Sequence, residues 1–335
     1  MKASLLTSRG ISLGLIAGLL TLTLVPSPAA TADGRRKLVL IAGKPSHPPL
    51  MHEFRAGTLL LEKCLAEVPG LVVEQHSDGW VADETTFEDA DAVVIYADGG
   101  GKHPAVQGDH LATLQKLVDR GVGFACMHYG VEVVPEQAGK QFLSWLGGFY
   151  EGGYSCNPIW SPTFNELPSH PVTRGVKPFT IEDEWYINMR FQPAWGEGVD
   201  AEKAEGTTFV PILVAKPSDA TRDGPYVYPK GPYPHVQAEK GHREAVMWTV
   251  ERPDGGRGFG FTGGHFHLNW GNDDFRRTVL NALVWVAKAE VPEGGVNSAV
   301  TEVELHQNLD DKPQPKKKAA QAQPVPRVFQ RMASR

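Results

Sequence analysis

The ten residues Gly121-Val122-Gly123-Phe124-Ala125-Cys126-Met127-His128-Tyr129-Gly130 read as a buried strand running into a tight turn. A short, continuous apolar run of this kind belongs to a parallel strand covered on both faces. The run carries a thiol, Cys126, and two residues later an imidazole, His128. Strand-to-helix turns hold the nucleophile of many α/β enzymes. Which residue occupies the turn therefore bears on the chemistry as well as on the fold.

The segments around it repeat the pattern. Leu38 to Ala42 is a first apolar strand ended by Gly43, and His52 to Val68 a helix with Phe54, Leu59, Leu60 and Leu65 inward, stopped by Pro69-Gly70. Leu71 to Val73 and Ala92 to Tyr96 are the second and third strands. Asp109 to Arg120 is a second helix, with Gly121 beyond its end as a C-cap. Strands alternating with helices predict an α/β fold with a mainly parallel central sheet, helices on both faces. Residues 147–240, rich in Pro, Gly, Trp and Tyr, predict an elaborated region folded over one sheet edge. Ala245 to Val250 and Gly258 to Thr262 flank Pro253-Asp254-Gly255-Gly256 and predict a hairpin. A last amphipathic helix is expected over Asp273 to Ala289.

The ends have a different character. Lys2 and Arg9, the apolar run Ile11 to Val25 and the small residues Ala30-Thr31-Ala32 make residues 1–32 a secretory signal peptide, cleaved near Ala32. No later apolar run reaches the roughly 18 residues a membrane span needs. A secreted or periplasmic protein without a membrane span is therefore expected, its main domain covering residues 33–300. From residue 301 to 335 the composition turns to Lys, Gln, Pro and Ala without periodicity, which predicts a disordered basic tail. A net charge of −6 argues against nucleic acid as the main partner, and three cysteines cannot build a disulfide framework.

In an open parallel sheet, ligands bind beyond the carboxyl ends of the strands. Three of the four segments there carry histidine: His47 and His52 after the first strand, His128 after the fourth, and His265 and His267 after the last. Asp98 follows the third, ahead of three glycines. His47 and His52, each taken alone, read as loop histidines making turn hydrogen bonds. Glu182-Asp183-Glu184-Trp185-Tyr186 sets acids beside aromatic rings, as sugar sites do, although a solvated acidic turn reads the same way. Cys126 lies inside the apolar run, before the turn, where a thiol is protonated and inert.

The ordered set Gly43…His47, Cys126-Met127-His128-Tyr129, Asp183-Glu184-Trp185-Tyr186 and Gly263-Gly264-His265-Phe266-His267 resembles the ThuA-like, or trehalose-utilisation, family over Lys37 to Ser298. The resemblance implies a flavodoxin-like, class I glutamine amidotransferase-like three-layer sandwich. In those amidotransferases the turn bears the nucleophilic Cys; here His128 stands in its place, and a late His-x-Glu reads His265-Phe266-His267, so glutamine hydrolysis is not expected. The resemblance further implies a carbohydrate substrate, related disaccharides or 3-keto glycosides among them, cleaved by a hydrolase or lyase. His128, His265, Glu184 and Asp98 are then the expected catalytic groups. Tyr129, Trp185, Tyr186 and Trp270 are expected to bind substrate, and His267 to orient His265. The same imidazoles could instead hold a divalent metal such as zinc, with His47, His128 and His265 as ligands. No G-x-G-x-x-G follows the first strand, so NAD is not expected. A non-catalytic sugar-binding protein and a metal carrier are the alternatives from other classes.

Overall fold

The computed structural model describes residues 34–196 and 198–313. The expected signal peptide, its cleavage point and the Lys-rich end of the tail lie outside the described residues. The elements that matter for function are β1 (Arg36–Ala42), α1 (Phe54–Leu65), β2 (Leu71–His76), β3 (Ala92–Tyr96), α2 (His110–Asp119), β4 (Gly123–Met127) and α3 (Lys140–Trp145). They are followed by β5 (Glu202–Ala204), β6 (Thr207–Ala215), α4 (Asp219–Asp223), α5 (Pro234–Ala238), β7 (Glu244–Glu251), β8 (Arg257–Phe261), α6 (Asp273–Val286) and α7 (Glu302–Leu305). Eight strands form one sheet in the order β5-β6-β7-β8-β4-β3-β1-β2.

Neighbours from β8 to β2 run parallel, whereas β5 to β8 are joined antiparallel. The sheet is thus mixed, parallel at one end, where a mainly parallel sheet was expected. The difference comes from the irregular region: it supplies β5 and β6 and extends the edge set up by the β7–β8 hairpin. Along β1 the side chains divide by alternation. Leu38, Leu40 and Ala42 join a core with α1 and α6, and Val39 and Ile41 a second core with α2 and Phe142 of α3. Helices therefore cover both faces.

Two boundaries differ from the sequence reading for reasons that concern the site. The first helix starts at Phe54 and not at His52, because His52 has a left-handed φ of 49° that no helix accommodates. The tail's described residues, 301–313, are held in place. Thr301 opens α7 with a capping box, exchanging hydrogen bonds with Glu304. Further on, the Lys312 ammonium is buried against the carbonyls of Met51 (2.6 Å) and His52 (3.1 Å) and the Glu53 carboxylate (3.1 Å). Lys312→Met removes these charge-assisted bonds and is expected to lower stability by about 1–3 kcal/mol. The check is the urea midpoint of the variant against that of the parent protein.

Candidate metal centre

Four segments converge at the carboxyl end of the parallel strands. β4 delivers His128 to a one-turn helix, His128–Val131, and His128 takes a φ of 53° at the bend. A non-glycine residue there costs about 1–2 kcal/mol, and such strain gathers at functional sites. The loop between β1 and α1 brings His52, held by backbone bonds to the segment after β8: His52 N–H to His265 O (3.1 Å) and His267 N–H to Leu50 O (2.9 Å). Glu184 comes from a two-residue strand, Asp183–Glu184, that pairs with Ile159–Trp160.

The ligand-type atoms of His52, His128, Glu184 and His265 all lie within 4.8 Å of one another, and all four residues are buried. His52 Nε2 is 2.9 Å from His128 Nε2 and 3.0 Å from His265 Nδ1, and His128 Nε2 is 3.2 Å from His265 Nδ1. Glu184 Oε2 is 2.9 Å from His265 Nδ1 and 3.4 Å from His128 Nε2.

The outer contacts fix where the protons are. His128 Nδ1 faces the Thr262 carbonyl at 2.9 Å, and His52 Nδ1 faces the Asp98 carboxylate at 2.9 Å. Both acceptors require Nδ1–H, so the inward Nε2 of each ring carries a bare lone pair. Two lone pairs 2.9 Å apart repel unless a cation lies between them. Burial, and next the neighbouring imidazoles, hold both rings well below the ordinary imidazole pKa, so a proton is a poor candidate for that cation. A metal fits. Donors about 2.0–2.1 Å from zinc stand about 3.3 Å apart at tetrahedral corners, close to the edges described. A carboxylate or carbonyl behind each imidazole is the usual support of a metal-bound histidine. Burial also raises the Glu184 and Asp98 carboxyls.

Asp183 builds the mould. Fully buried, its carboxylate accepts from the backbone N–H of Glu184 (2.8 Å), Gly264 (2.8 Å) and His265 (3.0 Å) and from the Asn269 amide (3.0 Å). The Tyr96 hydroxyl donates to the Gly264 carbonyl from the other side.

A cavity of about 390 Å³ opens onto the cluster; Tyr129, Tyr150, Tyr186 and Tyr228 stand in its wall with Asn157 and Glu132. The Glu132 carboxyl has no hydrogen-bond or ion-pair partner among the described residues. Burial, then the Glu184 charge, push it up to about 7.

Of the residues singled out in the sequence, His128, His265 and Glu184 meet in the cluster, and Asp98 stands behind His52. His47 lies outside the four: it stacks on His52, ring centres 3.5 Å apart, at the cavity wall. Tyr129 and Tyr186 line the cavity. Trp185 and Trp270 do not: both are fully buried, packed against Phe275, because their indoles fill the core beneath the turn. His267 makes no hydrogen bond to His265; it starts a separate one-turn helix and lies near Glu53, Lys312 and Leu305. Cys126 is buried and its thiol pushed well up by burial, away from the cluster. Sequence reasoning missed His52 at the centre, Asp183 and Glu132. The one signal for His52 was its place after a strand end.

No curated protein matches the chain. A crystal structure of a ThuA-like protein from Bacteroides uniformis ATCC 8492 is 14% identical with a TM-score of 0.52, over 78% of this chain and 95% of that one, a likeness of fold. The family model ThuA, described as trehalose utilisation, matches residues 50–286. That span takes in His52, His128, Glu184 and His265 along with most of the chain, and the protein belongs to the ThuA family.

Proposed function

We propose that the protein is an exported, metal-dependent carbohydrate enzyme that cleaves the glycosidic bond of an oxidised (3-keto) glycoside, as a lyase or hydrolase on a flavodoxin-like scaffold. The family name points to a sugar, and the paired bare nitrogens of His52 and His128 carry the metal part of the reading. His52, His128, His265 and Glu184 would hold the ion. When bound, a divalent ion that takes a fifth donor beyond these four would supply a Lewis acid for a sugar carbonyl.

The chain's own groups do the rest. Tyrosine faces cover the apolar side of a sugar ring, and Asn157 fixes Glu184 by donating to its Oε1 (2.9 Å). A ketone at C3 acidifies the neighbouring C–H. Glu132, poised near neutrality and without a partner among the described residues, takes that proton. The electron pair left on carbon forms the new double bond as the C1–O bond breaks. The leaving oxygen then recovers the proton from Glu132, and addition of water to the enone would complete a hydrolysis.

Elemental analysis of unstripped protein is expected to find near-stoichiometric metal. Glu132→Gln should keep the metal and lower turnover of a 3-keto-glucoside by about 10²–10⁴-fold. Native protein that holds no metal and leaves the glycoside intact would sink the proposal; sugar affinity without turnover would favour a non-catalytic sugar-binding protein. Metal content should also stay level as pH falls through about 6.5, the ordinary imidazole value. The lowered pKa values of His52 and His128 keep their lone pairs free of protons there, so competition begins only at more acid pH.

A further inference from the structure

A second cavity, of about 580 Å³, lies on the other side of Asp98. Gly43 and Ala97, at the carboxyl ends of β1 and β3, form part of its wall. From β1 the chain passes through α1 to β2 on one side, then crosses back to β3 on the other. Strand order therefore reverses between β1 and β3, and open α/β sheets bind ligands in the crevice at such a point. The two strand ends come close because Gly43 has no side chain; a Cβ there would lie 2.7 Å from Ala97.

The lining names the ligand chemistry. Lys44 and Lys102 are balanced by Asp78 and Asp98, so no field of one sign exists to hold a phosphate or a polyanion. Trp80 also lines the cavity, its indole flat against the His110 imidazole with ring centres 3.8 Å apart and planes 3° from parallel. Its N–H donates to Glu84 (3.1 Å), and a His110 Nδ1–H donates to the Pro104 carbonyl (2.8 Å). The aromatic group is thus ordered before any ligand arrives, which reduces the entropy lost on binding. An ordered indole among mixed, balanced polar groups suits a neutral polyhydroxylated ring.

Only a thin wall separates the two cavities. His47 lines the first and Ser46 the second, while Asp98 Oδ1 accepts from the Ser46 hydroxyl (2.9 Å) and from His52 (2.9 Å). We propose that the second cavity is a carbohydrate-binding site of its own, distinct from the cavity over the metal centre. Sugar binding in this cavity does not rest on the function proposed above.

The experiment is calorimetric titration of the full protein with trehalose, maltose, lactose and xylobiose. At least one is expected to bind, and Trp80→Ala to weaken it roughly tenfold, the loss of one aromatic stacking contact. Gln107→Trp, which fills the cavity from an exposed position, should weaken it in the same way while the unfolding midpoint stays put. Protein stripped of metal by a chelator should keep this affinity, which separates the site from the metal centre. No binding of any of the four sugars, binding that both cavity variants leave untouched, or equal competition by inorganic phosphate would each overturn the proposal.

Discussion

His52→Ala is expected to empty the centre of metal. Its Nε2 stands 2.9 Å from His128 Nε2 and 3.0 Å from His265 Nδ1, closer than those two are to each other, and its tautomer is already set for coordination. Losing a partner that merely orients a ligand costs about 10–100-fold in metal affinity, and Asp98→Asn, which removes the charge behind His52, should fall in that range. His52→Ala removes the ligand itself and should exceed it. Competition against a chromophoric chelator reads both constants. Parent-like affinity in the alanine variant would show that the three other groups suffice and that the His52 contact is packing.

The second large effect is expected at Asp183, which lines neither of the two cavities described above. Alanine there strands the N–H groups of Glu184, Gly264 and His265 in the interior, each at about 1–3 kcal/mol. The sum is several kcal/mol, a large share of the roughly 5–15 kcal/mol that holds a domain together. Asn is a poor rescue, because its NH₂ would meet donors where an oxygen now accepts. Guanidinium unfolding should show a midpoint drop for both variants, larger for Ala. A variant that keeps the parent midpoint would mean that the turn after β8 is held by its tyrosine and glycines alone.

The parallel half of the fold was legible because β1, β3 and β4 are buried on both faces and so appear as unbroken apolar runs. The bend at His128 was legible for the same reason: the run ends where the imidazole begins. His52 was not. It sits in an irregular loop with no period, and its partner His265 is 213 residues away, so backbone bonds invisible in composition make the contact. Trp185 and Trp270 misled because an aromatic beside an acid reads alike for a sugar platform and for a core that carries one buried carboxylate. The structure of residues 301–313 escaped notice because a capping box and a single buried lysine hold them, without an apolar stripe.

That lysine has a consequence in time. A ribosome releases Met51 and its neighbours early, but Lys312, which grips the Met51 carbonyl, follows 261 residues later. The loop that presents His52 is therefore among the first parts made and the last to be locked. A nascent chain emerging from the ribosome has its histidines but no finished cage to choose among cations. For the ion proposed above, selection would then wait until the whole chain has folded, with Lys312 in place.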